Sequence, residues 1–331
     1  MANLPLIRQL PKAELHLHME GTIDPPTLVD LSRKHDPAPL TMEEAQRLYE
    51  YEDFHGFLMA FKAVTQRLLS ADDYDLVAYR MIERLKAQNV LHAEVYLSVG
   101  VVHWRQHEFE PLFEGLERGR ERGERDFGVS VNWIFDAVRH FGVEAAQLVF
   151  ELAVRYRDRN VVGIGIGGDE RRGPAEPFRD LYRNAAENGL RLTAHAGEST
   201  GPESIWAALN IGAERIGHGL SAIDDPELIE VLAERQIPVE VCLSSNLLTG
   251  CLKRIEDHPV RRLFDAGVMI TLNTDDPAMF HTTLSREYEL AQDLFGFSDD
   301  HLRELARNSI EASFLPATKK VTMLENFDAA G

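Results

Sequence analysis

Cysteine is nearly absent from this 331-residue chain, with Cys242 and Cys251 as the whole complement. That excludes a disulfide scaffold and fits a reducing compartment. Long apolar runs are missing too. No run reaches the roughly eighteen residues of a membrane span, and the opening MANLPLIRQLPKAEL lacks the apolar segment of a signal peptide. A cytoplasmic protein with no membrane partner is expected. Positive charge is scarce, since 35 Lys and Arg face 54 Asp and Glu for a formal charge of -19. A nucleic-acid backbone calls for basic patches, so no nucleic-acid partner is expected. A small neutral or zwitterionic ligand fits instead.

What is present is an ordinary core-forming composition, 44% hydrophobic and 27% charged, arranged with a strong rhythm. Eight β-rich runs recur: AELHLH (13–18), VLHAEVYLS (90–98), VSVNWIFD (129–136), VVGIGIGG (161–168), RLTAHAG (191–197), RIGHG (215–219), IPVEVCLSS (237–245) and VMITLNTDD (268–276). Helix-like stretches with clear ends separate most of them. GPAEPFRDLYRNAAENGL opens on Pro and closes on Asn188-Gly189, and DDPELIEVLAERQI sets Asp225 before Pro226. Strand alternating with helix eight times predicts parallel strands joined by right-handed crossovers, an α/β fold of the (β/α)8 TIM-barrel type. Residues 1–331 then form one domain. A doubly wound sheet is the alternative, disfavoured because no Gly-rich phosphate turn is present.

One connection is too long. About seventy residues separate His18 from Val90, where a barrel of ~250 residues allows roughly thirty per unit. Residues 19–89 therefore read as a helical insertion. Within it Phe54, Phe57 and Phe61 fall on one helical face. That face either packs into the core or lines a lid over the barrel mouth.

Active sites of such barrels lie at the C-terminal ends of the strands. The first strand ends in His16 and His18, which share a face because residues i and i+2 point the same way. A chain with thirteen histidines produces such a pair by chance often enough that it needs support. The other strand ends supply it. The fourth ends at Gly167–Glu170, the fifth at His195–Glu198, the sixth at His218, the seventh at Ser244–Asn246 and the eighth at Asp275 and Asp276. Singly, each has a plain explanation: His195 as a core histidine, Asp275-Asp276 as a cap for a helix starting at Pro277. Jointly, several coincidences on one rim would be required.

Imidazoles plus a carboxylate with an open position suit zinc and hydrolysis. His16, His18, His195 and Asp275 make the best ligand set, one Zn2+ per chain. His218 would orient or deprotonate the metal-bound water. Glu198, kept protonated by burial and neighbouring Asp residues, could give a proton to a substrate nitrogen. Such a pocket would hydrolyse a C–N bond. Two-metal barrels commonly bridge their ions with a modified lysine at the fourth strand, and none stands there. The His/Cys/Cys zinc design is absent as well.

The segments PKAELHLHMEGT, TAHAGE, ERIGHG, LSSN and TLNTDDPAMF resemble the signatures of the adenosine deaminase family of the amidohydrolase superfamily, over residues 11 to about 290. The resemblance implies a zinc-dependent barrel that replaces the 6-amino group of an adenine ring by oxygen and releases ammonia. It implies zinc ligation by His16, His18, His195 and Asp275, protonation of ring N1 by Glu198 and water activation by His218. It further implies contacts of Asp276 with ring N7 and of the Gly168 backbone with N3. The expected partner is a small purine, and the oligomeric state is left open.

Departures from the family pattern bear on the substrate. Many adenosine deaminases carry Asp where this chain has Glu20. SSNLLTG and YLSVGVVHW differ from the segments common in free-adenine deaminases, which favours a nucleoside or a 5′-extended nucleoside such as aminodeoxyfutalosine. Glu20 would then face the sugar. Arg139 and Arg171-Arg172 are the candidates for a phosphate, and they read better as solvated loop charges. The alternatives are a free-adenine deaminase, a barrel hydrolase of another C–N or C–O bond, and a non-catalytic relative, which would be expected to have lost a ligand.

Overall fold

The structure, a computed structural model, describes residues 2–52 and 54–330. Strands β1 (Lys12–His18), β2 (Val90–Leu97), β3 (Ser130–Val138), β4 (Val161–Gly167), β5 (Arg191–Ala196), β6 (Arg215–His218), β7 (Val239–Val241) and β8 (Ile270–Leu272) pair in chain order. Every pairing is parallel, and helices fill the crossovers. The ring closes beyond β8. His18 N–H donates to the Asp275 carbonyl at 2.8 Å, and Asp275 N–H donates to the His16 carbonyl at 3.0 Å. The architecture is the (β/α)8 barrel that the rhythm predicts.

Alternation along the strands divides outside from inside. Leu15, Leu17, Val95, Ile164, Val239 and Val241 belong to the apolar core shared with the helices. The other parity turns inward and is polar, carrying His16 in β1, Glu94 and Tyr96 in β2, Arg215 in β6 and Glu240 in β7, all buried. The helix ends follow the expected devices. Asp24 before Pro25 accepts from Thr27 N–H, Asp225 before Pro226 accepts from Glu227 and Leu228 N–H, and Gly189 leaves its helix at φ 84°.

Two expectations are corrected. β7 and β8 are shorter than the runs 237–245 and 268–276, and Leu243–Leu248 is a helix. Asn273 explains the early end of β8, because its Oδ1 accepts from Leu15 N–H at 2.8 Å and His16 N–H at 3.1 Å in place of a backbone ladder. No helix starts at Pro277 either. The next one is Leu284–Phe295, so Asp275 and Asp276 are not its caps.

The insertion holds helices Pro25–His35, Met42–Arg47 and Phe54–Thr65, then Ala71–Ala87, which packs on Phe109–Phe127 and β2. Phe57 is buried, stacks on Phe280 at 5.2 Å and lies 5.9 Å from Phe61, while the Tyr51 hydroxyl donates to the Met279 carbonyl. Phe57 is thus packed against the loop after β8, Phe61 lines a small cavity beside Glu20, and the Phe54 side chain lies outside the described residues. No described helix is long and apolar enough to cross a membrane.

Candidate active site

The strand ends named from the sequence converge. His16 lies 4.5 Å from His195, 4.9 Å from His218 and 5.5 Å from His18, ring centre to ring centre. Close approach across the barrel needs a residue without a side chain on β6. A Cβ at Gly217 would sit 2.7 Å from the His16 ring. His218 and Asp275 both hold left-handed backbone, at φ 67° and 64°, a conformation that is uncommon for non-glycine residues.

Hydrogen bonds on the outer ring nitrogens fix which atoms face inward. His16 Nδ1–H donates to Glu240 Oε2 at 2.7 Å, and His195 Nδ1–H donates to the Ile166 carbonyl at 3.1 Å. Both rings therefore present an Nε2 lone pair to the barrel axis. His16 Nε2 is buried with no hydrogen-bond partner. His18 Nε2 and His195 Nε2 approach to 3.3 Å, and Asp275 Oδ1 lies 3.3 Å from His18 Nε2 and 3.8 Å from His16 Nε2. Two overlapping groups, His16 with His195 and His218 and His16 with His18 and Asp275, bring their donor atoms close enough together to hold a metal ion.

Burial works against a charge on His16, but its hydrogen bond to Glu240 outweighs this and raises it above its ordinary value, while His18 and His195 are held low. Burial drives the His18 imidazole down to about 4 and holds His195 well below its ordinary value, so both are neutral donors. Burial works against the Asp275 carboxyl, but its neighbours, among them the Ser245 hydroxyl, hold it below its ordinary value. Burial, then the charge of Asp275, pushes Asp276 well above the carboxylate range. Gly21 lets the turn after β1 pass against Asp276, since a Cβ there would lie 2.0 Å from Asp276 Oδ1.

Glu198 stands beside this cluster, Oε2 at 3.8 Å from His218 Nε2, with its carboxyl raised chiefly by burial. Its loop is held by Glu170, which accepts from the N–H groups of Gly197, Glu198 and Ser199 at 2.8 to 2.9 Å. Gly168 turns at φ 90° next to His140. Glu20 is buried, accepts from Ser98 N–H at 3.0 Å and borders a small cavity lined by Phe61, Thr65, Tyr74 and Arg105.

Sequence reading missed the groups behind these residues. Glu240 carries His16 and also faces Arg215, its Oε1 2.5 Å from Arg215 Nε, while Arg215 Nη1 donates to Glu94. Ser245 Oγ donates to Asp275 Oδ2 at 2.6 Å. The signal was available: Glu94, Arg215 and Glu240 are charges within strands, which a barrel interior must pair. Arg139 is a correction. It is not solvated but buried, donating to the Gly173 and His195 carbonyls. Arg171 and Arg172 are exposed, as expected.

Eight parallel strands whose C-terminal rim gathers imidazoles and buried carboxyls define a barrel hydrolase, one acting on C–N bonds. The chain belongs to the adenosine deaminase family, whose model, described as Adenosine deaminase, matches residues 11–330. It is 36% identical over 327 residues to an aminodeoxyfutalosine deaminase of Streptomyces avermitilis, covering 97% of this chain and 91% of that one. An adenine deaminase from Arthrobacter aurescens superimposes with a TM-score of 0.90 at 31% identity, covering 97% and 98% of the two chains. An amidohydrolase from Burkholderia ambifaria, solved with bound Zn, gives a TM-score of 0.90 at 28% identity over 100% and 94%.

Proposed function

We propose that this chain hydrolyses the 6-amino group of a purine nucleoside, adenosine-like or extended at the 5′ carbon, to the 6-oxo purine and ammonia. His16, His18, His195 and Asp275 would hold one zinc ion, whose chemistry when bound would be to make water more acidic, toward a pKa of ~7. Glu198 delivers its proton to ring N1 and so draws electron density from C6. As the water oxygen bonds to C6, one of its protons passes to the amino group and the other returns to the Glu198 carboxylate, the C6–N bond breaks, and the amino group leaves as ammonia. His218 holds the attacking oxygen in line. Asp276 meets ring N7 and the Gly168 backbone meets N3, fixing the ring, while the helical insertion covers the mouth as a lid.

The observation that carries this reading is the pairing of a buried, partnerless His16 Nε2 amid the donor set with a raised-pKa Glu198 at its edge. The sugar side is supported by Glu20, whose Oε2 has no partner and whose cavity brings Thr65 and Arg105 close. A second reading, free adenine, draws on the Ser98 N–H that already holds Glu20 Oε1. Ammonia release across adenine, adenosine, deoxyadenosine, aminodeoxyfutalosine and N6-methyl-AMP separates them. Nucleoside turnover with little from adenine is expected. The highest kcat/KM on adenine would replace the first reading by the second, and release from none would remove both.

A further inference from the structure

A chain of hydrogen bonds behind His218 starts from a group that can act in one way only. Helix Val260–Asp265 begins after Pro259, and the first N–H groups of a helix have no acceptor within it. Val260 N–H donates to His258 Nδ1 at 3.0 Å. The backbone amide can only donate, so Nδ1 carries the lone pair and the proton of neutral His258 is on Nε2. That Nε2–H faces Asn246 Oδ1 at 3.2 Å, and Asn246 Nδ2 faces His218 Nδ1 at 3.0 Å. An amide oxygen only accepts and an amide NH2 only donates, so the orientation of Asn246 is set by His258. His218 Nδ1 must then accept, and the proton of its neutral ring is on Nε2. His218, Asn246 and His258 are all buried, which removes water as a competing partner. Burial pushes the His258 imidazole down to about 3, consistent with its neutral form.

We propose that Asn246 and His258 are positioning residues that lock His218 as its Nε2–H tautomer, so that His218 acts as a hydrogen-bond donor at the reacting centre and not as a base. Its Nε2 is on the Glu198 side of the ring, 3.8 Å from Oε2. A nitrogen already bearing hydrogen has no lone pair for a water proton. It can donate to the oxygen that adds at C6, holding it in line and steadying the negative charge that grows on it. This narrows the role given to His218 above and rests on that reading only for its catalytic consequence, because the tautomer itself can be read without turnover.

The experiment is nitrogen-15 NMR of histidine-labelled protein, with and without added zinc, joined to steady-state kinetics. In the wild type, His218 should show a protonated Nε2 and a bare Nδ1. Asn246→Asp replaces the donor by a carboxylate that accepts from both rings, so His218 should invert to Nδ1–H. Its kcat should then fall ~10²-fold or more while KM moves less than about threefold, the pattern of a wrong tautomer in an intact pocket. His258→Phe frees the Asn246 amide to turn, and should give mixed tautomers and a smaller loss. A wild-type spectrum with His218 protonated on Nδ1 overturns the proposal without any variant. So does an Asn246→Asp protein that is folded and keeps either the Nε2–H signal or the wild-type kcat. Should no 6-aminopurine release ammonia, the deaminase reading fails while the spectra still decide the tautomer.

Discussion

Cys251 Sγ lies 3.7 Å from Oε1 of Glu198, placing a thiol directly beside the group assigned as proton donor. Burial, then the Glu198 charge, pushes that thiol up to about 12, and burial raises Cys242 well above its ordinary value. Thiolate is the reactive form, so neither residue should react at pH 8 in the native protein. Titration with an aromatic disulfide reagent should find almost no free thiol until the chain is unfolded, and two afterwards. Rapid labelling of Cys251 in the folded protein would show that its surroundings are wetter than described.

Asp136 on β3 is a second buried carboxyl, and its Oδ1 has no hydrogen-bond partner. Burial pushes it up to about 8; the His16 charge opposes this and Glu20 adds to it. The folded value thus exceeds the unfolded one, near ~4. Between the two, the folded chain binds more protons, so the stability this group contributes is complete below the unfolded value. It is lost as pH rises through the folded one. Asp136→Asn should be the more stable protein at pH 8, by about 2–4 kcal/mol, with the gap closing toward pH 5. Urea denaturation at several pH values measures it. A variant less stable than wild type at pH 8 would contradict the assigned protonation state.

Purified protein should hold about one zinc per chain, and His16→Ala or Asp275→Ala should lose metal and activity together. Metal analysis of dialysed protein gives the stoichiometry. Two tightly held ions per chain, both needed for turnover, would refute the single-ion site.

The legible part of the fold was what a regular rhythm writes into sequence. Alternating strands and capped helices predicted the barrel, and the rim histidines and aspartates followed from where each strand stops. Three features escaped for physical reasons. The shortness of β8 depends on the Asn273 side chain taking over backbone donors of β1, a contact between residues some 258 positions apart. The burial of Arg139 depends on carbonyls from two other loops. The Val260–His258–Asn246–His218 chain links the end of β6 to two short helices through side-chain contacts that no periodicity describes. The aromatic face of Phe57 was open between core and pocket, and its stacking on Phe280 places it in the packed interface.

The proposed nucleoside substrate places Glu20 against the sugar. Glu is one methylene longer than Asp, a displacement of roughly 1.5 Å at the carboxylate, comparable to one carbon–carbon bond. Glu20→Ala should lower kcat/KM for nucleosides about tenfold or more while leaving residual adenine turnover within a few-fold. Equal losses on nucleosides and adenine would mean that Glu20 supports the fold through Ser98 and does not meet the sugar.

Proton delivery by Glu198 is the central claim, and ammonia release by Glu198→Gln protein matched to wild type in zinc content tests it most directly. Glutamine keeps the size and the hydrogen-bonding capacity of the side chain but has no proton to give. Zinc content and purine binding should be retained, with turnover at least ~10²-fold slower than wild type. A zinc-loaded Glu198→Gln protein that deaminates 6-aminopurines at near the wild-type rate would contradict the account.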